Sequence, residues 1–198
     1  MKTNAPTRRA LLAALSIALL ATLPGTGIPR ADDLDEDPWA ALRHGGHVAL
    51  IRHALAPGTG DPANFALGEC STQRNLSEEG REQARRIGDL FRENGIAQAR
   101  VFTSAWCRSR ETAELLELGP VTALEPLDSF FRNRVEGERR TRALADWIAA
   151  QDALSPIVLV THQVNITALT GVFPGSGEIV VVGREGDGVM VRGRIATR

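Results

Sequence analysis

Three short apolar runs, HVALIRH (47–53), ARVFTSA (99–105) and PIVLVTH (156–162), constrain this chain more than any other feature. Each has the length of a strand and ends on polar side chains. The segments between them have helical spacing. Ser77 is a good N-cap, with Glu78 and Glu79 in the first turn after it. The helix it opens carries Ala84, Ile87, Leu90 and Phe91 on one face and pairs Glu82 with Arg86 on the other. WCRSRETAELLEL reads as a second helix closed by Gly119 and Pro120, and Leu144, Trp147 and Ile148 mark a third. WAALRHGG and VNITALTG read as short helices, VTALEPL as a short strand, and EIVVVGREGDGVMVRGRI as a terminal hairpin turning at Glu185–Gly188. Alternation of this kind predicts an α/β fold with a mostly parallel sheet covered by helices on both faces, and antiparallel strands at the C-terminal edge.

The N-terminus stands apart. Lys2, Arg8 and Arg9 precede ALLAALSIALLATL, which has the length of a signal-peptide h-region and is short for a bilayer span. Residues 1–31 are read as an export signal cleaved between Gly25 and Ala31, with an uncleaved anchor as the alternative. TRRALL also resembles a twin-arginine signal, which leaves the export route open. Residues 32–198 then form one domain, and the protein is expected to be periplasmic or secreted, with no membrane span after cleavage. Removing residues 1–31 takes away Lys2, Arg8, Arg9 and Arg30, leaving 19 basic against 24 acidic residues, a formal charge of −5. No basic stripe with interleaved aromatics survives and Tyr is absent, so nucleic acid is not an expected partner. Two cysteines, Cys70 and Cys107, in an exported chain allow a disulfide, with a pair of buried thiols as the alternative.

Ligands of open α/β sheets bind beyond the carboxyl ends of the strands. Arg52 and His53, Ser104 leading to Arg108, and Thr161 and His162 all fall at that edge. Arg108 stands in a first helical turn, where free N–H groups already favour an anion. Two arginines and a helix N-terminus suit a dianion, phosphate first. Positive charge beside His53 disfavours its imidazolium and leaves a neutral, nucleophilic ring, with a second, protonated histidine available to hold the phosphate.

LIRHA, LSEEGREQA, TSAWCRSRETA and VTHQVNI, in this order, resemble the histidine phosphatase superfamily, also called the phosphoglycerate mutase-like or histidine acid phosphatase fold. The likeness runs over about residues 45–172. It implies a three-layer α/β/α sandwich and no metal or organic cofactor. It also implies phosphorylation of His53, with Arg52, Arg108 and His162 holding the phosphate of a small phosphorylated substrate. Two departures matter. Ala54 replaces the usual Gly after Arg-His, and Gln163 stands where acid phosphatases of the family carry an Asp that protonates the leaving group. The mutase-like branch uses a Glu from the region that is EPLDSFF here, which makes Asp128 the first candidate acid and Glu178 the second.

The expected function is therefore an exported phosphomonoesterase working through a phosphohistidine. The alternatives are a non-catalytic phospho-ligand binding protein that kept the pocket, and a phosphomutase. The long aperiodic loop 56–75 and the segment 128–137 are the expected specificity walls, with Thr59 and Asn64 as candidate lining residues. Trp106 and Trp147 are assigned to the core. His44 and His47 are too isolated for a metal site and are read as loop residues.

Overall fold

The computed structural model describes Met1 and residues 37–197 apart from 153 and 187. Met1 aside, the expected export signal lies outside the described residues. A six-stranded sheet runs in the order β3-β2-β4-β1-β5-β6, built from β1 (His47–Arg52), β2 (Arg100–Thr103), β3 (Val121–Ala123), β4 (Ile157–Thr161), β5 (Ile179–Glu185) and β6 (Gly188–Ile195). β3, β2, β4 and β1 are parallel, and β5 and β6 add antiparallel to the β1 edge. The mixed sheet and its antiparallel edge match the expectation from sequence.

Period-two alternation sends consecutive strand residues to opposite faces, and each face collects its own helices. Ala49 and Ile51 of β1, with Val158 and Val160 of β4, pack against α1 (Pro38–His44), α2 (Glu78–Glu93) and α3 (Cys107–Leu115) through Leu42, Ile87, Phe91 and Ala113. Val48 and Leu50, with Ile157 and Leu159, pack against α4 (Gly137–Ala149) and α5 (Gln163–Thr170) through Leu144, Ile148 and Ile166. Trp147 joins that second core as expected. β4 is buried at all five positions, which explains why its sequence is continuously apolar rather than alternating.

Ser77 caps α2 by accepting from the Gly80 N–H at 3.2 Å, a bond of the type worth about 1 kcal/mol. The same turn of helix lies directly on the segment after β1: a Cβ at Gly80 would sit 2.1 Å from the Leu55 carbonyl oxygen. Only glycine lets the helix approach the backbone that carries His53. Gln83, one turn further on, accepts from the Leu55 N–H at 3.0 Å and donates to the Ser176 carbonyl at 2.8 Å, tying the loop after β1 to the one before β5. Among the described residues no helix is long and apolar enough to cross a membrane.

Candidate active site

Strand register brings the polar residues together. β4 lies between β1 and β2, with Arg52 opposite Thr161 and Thr103 opposite Val160, so the three strands end at one level. The ladder continues one step beyond them, with His53 N–H donating to Thr161 O at 2.9 Å and Ser104 N–H to Val160 O at 3.1 Å. Arg52, His53, Arg108 and His162 consequently line one cavity of about 110 Å³. His53, Arg108 and His162 are buried, and Arg52 is half-buried.

The His53 ring is fixed by its own backbone. Nδ1 lies 2.8 Å from the Ala54 carbonyl oxygen, an acceptor, so the Nδ1–H donates there and the lone pair of the neutral ring is on Nε2. Arg108 Nε–H points at that Nε2 from 3.2 Å. Burial first, and the Arg108 charge second, hold the imidazole well below its ordinary pKa, so the ring is neutral at physiological pH. His162 behaves alike: burial and then Arg108 push it well down. The second histidine, expected from sequence to be protonated, is thus held neutral by its surroundings. Its Nε2 lies 2.8 Å from Ser104 Oγ, and its Nδ1 lies 3.5 Å from Arg108 Nη2.

The arginines have capacity left for an anion. Arg52 Nη1 donates to Pro174 O at 2.9 Å, while its buried Nε has no hydrogen-bond partner.

Several residues of the site were not identified from sequence. Arg74 lines the cavity, with its guanidinium anchored on the carbonyl oxygens of Gly60 and Ala56. Burial and the neighbouring Arg108 draw it down to about 10, which leaves it charged. Asp61 pairs with Arg108 at 2.7 Å, both side chains being about 95% buried. Burial alone would raise the Asp61 pKa, and the hydrogen bond and charge of Arg108 outweigh it, keeping a carboxylate. Trp106, assigned to the core from its spacing, lines the cavity instead: its indole N–H donates to Asp61 Oδ2 at 3.1 Å and its ring stacks on Phe65. The signal available in the sequence was the length and irregularity of the loop, which named a region but no side chain.

Some of the other expectations are corrected and others hold. Asp128 does not line the cavity. It is buried, with Oδ1 accepting from the Ala105 N–H at 2.7 Å and Oδ2 3.7 Å from Arg140. Glu178 also lies outside the lining, accepting from Gly175 N–H at 2.7 Å and Arg194 Nε–H at 2.6 Å. Thr59 is in the wall and Asn64 is not. Ser129, Phe131 and Arg132 line the cavity as well, from the segment expected to do so. His47 Nδ1 lies near the carbonyl oxygens of Ala41 and Gly45, a structural use. Cys70 and Cys107 form a disulfide with 5.6 Å between their Cα atoms.

Sheet, helices and cavity define an α/β/α protein with a cationic anion pocket at the carboxyl edge of its parallel strands. The model of the histidine phosphatase superfamily (branch 1) matches residues 48–138. Among solved structures, phosphoserine phosphatase from Entamoeba histolytica, complexed with phosphoserine, superposes with a TM-score of 0.55 at 15% identity, over 77% of this chain and 98% of that one. The protein histidine phosphatase SixA, complexed with tungstate, gives 0.52 at 15% identity, over 76% and 97%. At that identity the likeness shows the shared fold. Over residues 48–138 the chain is similar to the histidine phosphatase superfamily. The mitochondrial serine/threonine-protein phosphatases Pgam5 of Drosophila persimilis and Drosophila pseudoobscura pseudoobscura are each 32% identical over 74 residues, 37% of this chain. The chain spans 23% of the length of these curated relatives.

Proposed function

We propose that the protein is an exported phosphomonoesterase in which His53 carries the phosphoryl group between two displacements. The observation that carries this reading is the His53 ring, held neutral with its Nε2 lone pair in a cavity walled by arginines. In the first step Nε2 attacks phosphorus, the ester P–O bond breaks, and the leaving oxygen departs with the electron pair. Arg52, Arg74 and Arg108 take up the charge on the equatorial oxygens. A bound dianion also opposes the field of Arg108 at His162, the second cause of that ring's depressed pKa after burial, and so favours a proton there for a hydrogen bond to the phosphoryl group. In the second step water attacks phosphorus, the P–N bond breaks, Nε2 regains its lone pair, and inorganic phosphate leaves with the water's proton released to solvent.

Asp61, the carboxylate among the lining residues, is ion-paired and held deprotonated, so it has no proton to give a leaving group. The reaction therefore favours esters whose leaving group departs without one, such as aryl phosphates. The family and the phosphatases to which the chain is similar support phosphatase chemistry in general. Export is supported by the residue pattern of 1–31 and by the Cys70–Cys107 disulfide, which persists in oxidising compartments. Rapid-quench labelling with a radioactive aryl phosphate is expected to trap an acid-labile phosphoprotein, absent in His53→Ala. Undiminished turnover by His53→Ala ends the reading.

A phospho-ligand binding protein is the second reading, favoured by Gln163 in the lining where a proton donor stands in acid phosphatases. Calorimetry beside a phosphate-release assay separates the two: phosphoester binding without release over a broad ester panel identifies a binder.

A further inference from the structure

Arg108 divides its guanidinium between two tasks. At its Nη1/Nη2 end, Nη1 donates to Asp61 Oδ1 at 2.7 Å and Nη2 lies 3.4 Å from Oδ2. Along its Nε/Nη2 side, Nε–H faces His53 Nε2 at 3.2 Å and Nη2 faces His162 Nδ1 at 3.5 Å. The end of the fork is capped by a carboxylate, and the side opens on the space between the two histidines. A phosphoryl group attacked by His53 Nε2 has to sit in that space. Asp61 and a phosphate therefore use different edges of the same cation and do not compete for it.

Asp61 is itself held firmly. Its Oδ1 accepts from the Arg74 N–H and its Oδ2 from the Trp106 indole N–H, each at 3.1 Å. The loop reaches this position through Gly58 and Gly60, at φ +89° and +71°, a backbone region that side-chain-bearing residues rarely adopt. A carboxylate beside a phosphate site opposes the binding of a dianion, so its burial there requires a compensating benefit. Orientation of Arg108 is that benefit, because a guanidinium on a flexible stem loses much of its directional value unless one edge is fixed.

We propose that Asp61 is a positioning residue for phosphoryl transfer, holding Arg108 by its Nη1/Nη2 end so that the Nε/Nη2 side meets the equatorial oxygens as charge develops there. The inference rests on the two-step reaction at His53 proposed above and deepens it. It separates two quantities that an ordinary structural role would move together. Asp61→Asn keeps the volume, removes the charge, and puts an NH₂ where Arg108 or Trp106 needs an acceptor. Loss of a negative charge strengthens attraction for an anion. Loss of the clamp misaims the guanidinium, an error of a size that costs on the order of 100-fold in rate.

The experiment measures kcat and KM for p-nitrophenyl phosphate, and competitive inhibition by inorganic phosphate, on the full chain as wild type, Asp61→Asn and Trp106→Phe. For Asp61→Asn a fall in kcat of roughly 100-fold is expected, with inhibition by phosphate unchanged or tighter. Trp106→Phe removes one donor to Asp61 without altering charge and is expected to lower kcat less, again without weaker inhibition. It carries the test if Asp61→Asn does not fold. A kcat near the wild-type value in the folded variants overturns the proposal, as does a fall in kcat matched by an equal loss of phosphate inhibition. A wild-type protein without turnover overturns the reaction at His53 and the positioning role with it, a result distinct from an active wild type and an unimpaired variant.

Discussion

Replacing Cys70 and Cys107 together by alanine opens the covalent bridge between the loop that carries Asp61 and Arg74 and the start of α3, which carries Arg108. The cysteines are 37 residues apart in sequence. Closing a loop of that length removes chain entropy from the unfolded state worth about 4 kcal/mol at 25 °C. In the folded state the same junction is held without the bridge, since the Cys107 N–H donates to Gln73 Oε1 at 2.9 Å and Arg108 Nη1 lies 3.3 Å from Arg74 O. The loss therefore falls on stability, and the folded fraction keeps its activity. For a domain of this size 1 kcal/mol corresponds to about 2–4 °C, so the melting temperature is expected to fall by about 12 °C. Calorimetric melts of the oxidised protein, the protein with reductant, and the double variant provide the assay. Reductant should reproduce the variant's shift in the wild type and leave the variant unmoved. A shift below about 3 °C, or loss of phosphate release at 25 °C in protein that is still folded, refutes the reasoning.

Stability should fall with acid. His53 and His162 are both depressed well below 6.5 in the folded chain, so between that value and their folded pKa values the unfolded chain binds more protons and folding stability rises with pH. Lowering the pH from 6.5 is expected to reduce stability by up to about 1.4 kcal/mol per unit for each ring, measurable by urea titration at several pH values; a flat profile from pH 6.5 to 5 contradicts the two neutral rings. Gly80→Ala drives a Cβ to 2.1 Å from the Leu55 carbonyl and should destabilise by about 3 kcal/mol, with activity lost as the His53 loop shifts; an unchanged urea midpoint counts against that close approach. Asp128→Asn should escape the roughly 100-fold or greater loss that removal of a general acid produces, since its carboxylate lies outside the cavity wall; a loss of that size on an aryl phosphate returns Asp128 to the reaction.

The local features were legible because they repeat at short range. The apolar run over 47–52, the Ser77 cap, the helical spacing of Ala84, Ile87 and Phe91, and the hairpin at the C-terminal end each depend on neighbours a few residues away, and all recur in the fold. The placement of Arg52, His53 and His162 at strand ends, and of Arg108 in the helical turn after one, followed from the same patterns joined to one rule about where open sheets bind ligands. Asp128 shows where that reasoning stops. Adjacency in sequence to Ser129, which lines the cavity, says nothing about which way a loop side chain turns.

The sequence by itself determined the alternating elements and the edge of the sheet at which polar groups gather, because those follow from short apolar runs, from the 3.6-residue helical period and from the polar residues that end each run. Only the tertiary structure decided that β4 lies between β1 and β2, that Trp106 leaves the core for the cavity, and that Asp61 and Arg74 join Arg108. The physical reason is range. An aperiodic loop takes its shape from glycines at positive φ, from a disulfide and from hydrogen bonds to partners far along the chain, and no local pattern records which partners those are.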